Sequence, residues 1–143
     1  MPLDQVTRKA VRIVHGTVSR VYSGYDDSGL PATWISLTIT RMLKGPHATQ
    51  LTFKQYGLVE PLPDGTIARV ADLDRYRVGE EVVLFLRGDS RQGFTSPVGF
   101  SQGAYRVHRN GAAPQVQRDC GSAILQRLDE FVSEIARITA AAS

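Results

Sequence analysis

Residues 99–103, GFSQG, match G-x-S-x-G, the pattern that surrounds the nucleophilic serine of α/β-hydrolases, and would make Ser101 the attacking group. That chemistry needs a strained turn between a strand and a helix, so that the hydroxyl is exposed and helix amides face the oxyanion. The residues after Ser101 are QGAYRVH: Gly103 breaks a helix, and the alternation behind it is that of a strand. The order serine, acid, histidine also fails, because His108 is the only histidine after Ser101 and it precedes Asp119. GFSQG therefore reads as a bend or bulge between two strands, with Gly99 and Gly103 allowing close backbone approach, Gln102 bonding backbone and Ser101 capping it. No catalytic residue is expected here, and the chain is not expected to be an enzyme.

The other reactive types are scattered. His15, His47 and His108 lack metal-ligand spacing, and the single Cys120 excludes an internal disulfide or a paired-thiolate zinc site. No metal or cofactor is expected. His15 and His108 read as strand-surface residues, Glu80 and Glu81 as the solvated start of a strand, and Asp26 and Asp27 as turn formers. Tyr22, Tyr25 and Trp34 could cluster on one face and stack a ring, and they form the candidate binding surface.

These residues must be positioned by a small protein. A chain of 143 residues with 42% hydrophobic and 22% charged side chains fits one globular domain. No apolar run reaches the length of a membrane span, and the first residues lack the uninterrupted apolar stretch of a signal peptide. The net charge of +3 comes from arginines interspersed with acids rather than from a basic stripe.

Hydrophobic periodicity predicts the elements. PLDQVTRKAVR places Leu3, Val6 and Ala10 on one side of a short helix. VRIVHGTVSRVY, residues 11–22, reads as a long strand, with Gly16 as a bulge or close-packing point. In residues 33–43, Ile35, Leu37 and Ile39 fall on one face and Trp34, Ser36, Thr38 and Thr40 on the other. QLTFKQY, residues 50–56, alternates with Leu51 and Phe53 inward. EEVVLFL, residues 80–86, is nearly continuously apolar, as in a strand covered on both faces. FTSPVGF and then AYRVH add strands, with Tyr105 and Val107 on one side. Residues 109–120 read as a linker. Residues 121–141 read as an amphipathic helix with Ile124, Leu128, Phe131, Ile135 and Ile138 on its apolar stripe.

Five to six strands in a chain this short predict a mainly β fold, a small closed Greek-key barrel over residues 11–108 with the C-terminal helix packed against it. The strand series IVHGTV, ISLTITRMLKG, LTFKQYG, YRVGEEVVLFL and VGFSQGAYRV resembles a group of bacterial exported domains, some found upstream of matrixin-like metallopeptidase domains. The pieces carrying the resemblance are Leu43-Lys44-Gly45, Val78-Gly79-Glu80 and Gly99 with Gln102-Gly103. The same order is similar to the netrin-like domain of metalloproteinase inhibitors, an OB-type barrel. The resemblance implies such a barrel, exported to the periplasm, cell envelope or outside, in which case the sequence starts after the signal; a cytoplasmic setting is the alternative. It carries over no inhibitory mechanism, because those inhibitors depend on an N-terminal cysteine and several disulfides.

The expected function is a non-catalytic binding or accessory module that contacts a protein or peptide through loops 24–32 and 57–75. Single-stranded nucleic acid is the second class of partner, suggested by the arginines, Trp34 and the tyrosines.

Overall fold

Val82 to Leu86 are consecutive apolar residues, and a strand can bury all of them only if both faces of its sheet are covered. In the computed structural model, which describes residues 2–58, 62–65, 67, 76–89, 93–98, 103–109, 113–118 and 125–141, both faces are covered. The chain order is α1 (Leu3–Lys9), β1 (Arg12–Tyr25), β2 (Pro31–Lys44), β3 (Gln50–Tyr56), β4 (Glu81–Leu86), β5 (Ala104–His108), β6 (Gln115–Arg118), β7 (Gln126–Arg127) and α2 (Leu128–Ala141). The strands form one antiparallel sheet in the order β3-β2-β1-β4-β5-β6-β7.

Side chains of β4 alternate between two cores. Val82, Leu84 and Leu86 point to the side that holds Val14, Val18, Ile35, Leu37, Phe53 and Tyr76. Val83 and Phe85 point to the other, where both helices lie and contribute Val6, Ala10, Leu128, Phe131 and Ile135. Phe131 is wedged against Phe85 and Tyr105, with ring centroids 6.1 and 4.7 Å away. The helix backbone is anchored where Leu128 N–H donates to Pro114 O at 2.9 Å. Lys44, at the end of β2, donates from Nζ to Thr7 O at 3.0 Å, so it satisfies a carbonyl that α1 leaves open at its C-terminal end.

β1 is the element that bends. Its register against β2 shifts between Ile13 and Val14, between His15 and Gly16, and between Val18 and Arg20. Each irregularity adds twist and curl to the pair. At the second shift the backbones come so close that a Cβ on Gly16 would lie 2.6 Å from Thr38 O. Only a glycine fits there without separating the strands. β4 pairs with Arg12–Thr17 alone, so Arg20–Tyr25 continue past it as the edge of a ribbon with β2 and β3.

The described residues show a mainly β fold in which the strand ladder runs linearly and does not close. Two isolated bridges, Lys54 to Phe94 and Leu86 to Pro97, link residues 94–97 to β3 and β4. Sequence reading placed a linker at residues 109–120, and that is corrected: QVQR within it is β6, paired with β5 from Tyr105–Arg118 to His108–Gln115. Four residues with one apolar side chain, Val116, give no readable period. The expected helix at 121–141 starts at Leu128, because Gln126 and Arg127 are held extended by pairing with β6. Ile124 lies outside the described residues.

Substituting Phe131→Ala is expected to lower unfolding free energy by about 3–5 kcal/mol, as for truncating a buried aromatic. Gly16→Ala should cost about 1–3 kcal/mol through forced separation of β1 and β2. Urea denaturation checks both, and a midpoint for Gly16→Ala equal to that of the unsubstituted protein would contradict the close approach.

Candidate functional site

Inward residues of the ribbon, Ile35, Leu37 and Phe53, fix its outward ones by the period of two. Pairing across the three strands then sets Arg20 beside Ser36 and Thr52, Tyr22 beside Trp34 and Lys54, and Gly24 beside Ala32 and Tyr56. Tyr22 and Trp34 stack with ring centroids 5.1 Å apart and planes 7° from parallel. The guanidinium carbon of Arg20 sits 4.4 Å from the centre of the Tyr22 ring. On the β3 side, Lys54 Nζ lies 4.4 Å from the centre of Phe94, which meets Tyr56 edge to face at 5.5 Å. The result is a row of aromatic rings flanked by cations. Tyr22 and Tyr56 are 40% and 46% exposed, more than a core role requires.

The rim of this face is built by hydrogen bonds. Asp26 Oδ1 accepts from the backbone N–H of Ser28 and Leu30, turning the chain between β1 and β2, while its Oδ2 takes Lys54 Nζ at 2.9 Å. Its carboxyl is held below the ordinary carboxylate range, first by the Leu30 N–H and then by Lys54. Tyr25, which alternates to the other side of β1 from Tyr22, donates its hydroxyl to Asp64 Oδ2 at 2.8 Å and ties the 26–30 loop to residues 62–65. Of the three aromatics named from sequence, the structure stacks Tyr22 with Trp34 and gives Tyr25 a partner in the second loop. Arg20, Lys54, Tyr56 and Phe94 were not singled out. The alternation of QLTFKQY does place Lys54 and Tyr56 opposite Leu51 and Phe53, but no local pattern ties Phe94 to them.

A second cluster corrects the reading of His15 as a surface residue and of Glu81 as a solvated strand end. His15 is 5% exposed, and its Nε2–H donates to Glu81 Oε2 at 2.6 Å. Arg109 Nη2 donates to the same oxygen at 2.8 Å and its Nε to Oε1 at 2.5 Å. The Arg109 bonds, and after them His15, draw the Glu81 carboxyl below its ordinary value, while burial opposes them. This carboxylate accepts three hydrogen bonds, one from His15 of β1 and two from Arg109 just beyond β5, an arrangement that ties strand ends together. His108 ends β5 half-buried, with Nε2 lacking a hydrogen-bond partner among the described residues.

The remaining residues named from sequence sit at turns and close contacts. Gly45 and Gly79 adopt φ of +102° and +95°. Glu80 Oε1 accepts the Arg77 N–H across the turn before β4, and its Oε2 lies 3.2 Å from Arg106 Nη1. A Cβ on Gly103 would meet Val98 O at 2.6 Å. Gly99, Ser101, Gln102 and Cys120 lie outside the described residues. Among the described residues, no group of three or more histidines, cysteines and acids is placed to hold a metal ion, and no helix is long and apolar enough to cross a membrane.

No family model, curated protein or solved structure matches this chain.

A group whose folded pKa is depressed contributes stability above its unfolded value and loses it as pH falls through the folded one. The unfolded Glu81 carboxyl titrates near 4.5, so its contribution is complete above that value and is lost progressively below it. Thermal midpoints measured from pH 7 down to pH 3 should fall more steeply for the unsubstituted protein than for Glu81→Gln. Parallel curves would contradict the assignment.

Proposed function

We propose that the chain is a non-catalytic binding module that engages a protein or peptide through the aromatic face of the β1–β2–β3 ribbon and the loop ends beside it. The observation that carries this reading is the pair of exposed rings Tyr22 and Tyr56, with the half-buried Trp34 and Phe94 against them, on a ribbon whose opposite side packs Ile35, Leu37 and Phe53 into the core. Aromatic side chains are large and lose little entropy when covered, which is why they dominate protein-binding surfaces. Tyr25 and Asp64 hold the two expected loops together at the same end, so residues 24–32 and the described part of 57–75 form a rim rather than a separate site.

Single-stranded nucleic acid is the weaker reading. Base stacking needs a free ring face. Tyr22 has Arg20 on its ring and Trp34 stacked against it, and the Trp34 ring reaches to within 3.9 Å of where a Cβ on Gly24 would stand. Lys54 is paired with Asp26, which leaves a short run of positive charge for a polyphosphate chain.

The OB-type reading of the fold is supported by the bridges at Lys54–Phe94 and Leu86–Pro97, which bring residues 94–97 between the free edge of β3 and the end of β4. The setting in the cell envelope or outside it rests on the resemblance of residues 11–108 to exported bacterial domains.

Trp34 is the sole tryptophan, so its emission reports on this face directly. Panning a tryptophan-free displayed peptide library against the domain should enrich peptides that shift Trp34 emission. Their binding should weaken at least about tenfold in Tyr22→Ala and Tyr56→Ala, and be unchanged in Glu130→Ala on the exposed side of α2. Enriched peptides insensitive to Tyr22→Ala and Tyr56→Ala would overturn the reading. Quenching by oligo-dT that weakens steeply with salt would replace it with nucleic-acid binding.

A further inference from the structure

The charges on the aromatic face are unequally satisfied. Lys54 is held 2.9 Å from Asp26, whose side chain is only 4% exposed, so this cation and its partner are already matched. Asp64, at the rim, accepts the hydroxyl of Tyr25. Arg20 is exposed and has no carboxylate partner among the described residues; its recorded contact is with the Tyr22 ring, 4.4 Å from the guanidinium carbon. A guanidinium laid against an aromatic ring keeps its planar fork of N–H donors oriented, and that fork matches a carboxylate in two parallel hydrogen bonds. Fewer of its rotamers have to be frozen on binding, which favours affinity.

Resting on the peptide-binding reading above, we infer that the segment bound at this face is acidic, with an Asp or Glu carboxylate paired to Arg20 and a neighbouring apolar side chain packed on the open edges of the stacked Tyr22 and Trp34 rings. The pairing across strands supplies the geometry. Arg20 and Tyr22 are two apart on β1 and therefore share a face, and Trp34 stands directly across from Tyr22 on β2. An extended peptide presents alternate side chains about 6.4–6.8 Å apart, the same two-residue repeat that separates Arg20 from Tyr22 along β1, so one residue can meet Arg20 and the next but one Tyr22. The charge sets which sequences bind and how salt affects them, while the rings supply the buried surface. Arg20 is thus a specificity-determining residue of the face.

Three pools of fluorescein-labelled 12-residue peptides test this. Each is random in neutral residues except for a fixed central triplet: Asp-Ser-Phe, Asn-Ser-Phe or Lys-Ser-Phe. Fluorescence anisotropy at low salt should show the Asp pool binding about tenfold tighter than the Asn pool, and the Lys pool weaker still. At about 0.5 M salt the preference should shrink to within roughly threefold, as screening shortens the reach of exposed charges. Arg20→Glu should reverse the order of the Asp and Lys pools, and an unchanged urea midpoint would show that its fold is intact. If all pools bind alike and Arg20→Glu changes nothing, while Tyr22→Ala and Tyr56→Ala still abolish binding, the acidic assignment is overturned and the aromatic face stands. If binding by every pool survives Tyr22→Ala and Tyr56→Ala, the face itself is overturned.

Discussion

The central strand β4 governs this structure because it carries apolar side chains on both faces, and no arrangement that leaves either face wet can keep it. One face is covered by the two helices, through Val6, Ala10, Leu128, Phe131 and Ile135. The other is covered by the sheet itself, which curls until Phe53 of β3 and Tyr76 meet Val82 and Leu84. That curl depends on β1, whose register shifts and close approach at Gly16 let one long strand serve the flat centre and the twisted ribbon. Burial of two apolar layers by one strand is thus the condition from which the helix positions, the bulges and the glycine requirement follow.

The same condition leaves one surface over. The helices cover the outer face at the start of β1 and over Val83 and Phe85 of β4 and Tyr105 of β5, whereas the outer face of the ribbon beyond Thr17 carries Tyr22, Trp34 and Tyr56. A ribbon that needed only solubility would carry short polar residues there, as it does at Ser36 and Thr52, which hydrogen-bond each other at 2.8 Å. Instead its outer face changes from hydroxyls to rings within one strand. This localised change, with a cation laid over the first ring, is what sets this end of the face apart from the rest of the ribbon.

Much of this was legible from residue order. The continuous run at 82–86, the alternation of 33–43 and 50–56, and the spacing of Leu128, Phe131 and Ile135 each fixed a burial pattern that the structure has. Gly16 stood out because it interrupts a β-branched strand. β6 and β7 were not legible, since their pairing is set by β5 and their sequences are too short and polar to show a period. The Glu81 cluster was hidden for a different reason: His15, Glu81 and Arg109 lie far apart in the chain, and only the antiparallel pairings of β1 with β4 and of β4 with β5 bring them together. Phe94 reached the aromatic face in the same way, through a bridge to Lys54 that no local pattern announces.

The most direct measurement of the account is side-chain footprinting by hydroxyl radicals, read by mass spectrometry, with and without a saturating bound peptide. If the aromatic face of the ribbon is the docking surface, oxidation of Tyr22, Trp34 and Tyr56 falls on binding, while Leu125 at the start of the C-terminal segment stays as reactive as in the free protein. Protection centred on Leu125 and the exposed side of α2, with Tyr22 and Tyr56 unchanged, would contradict it.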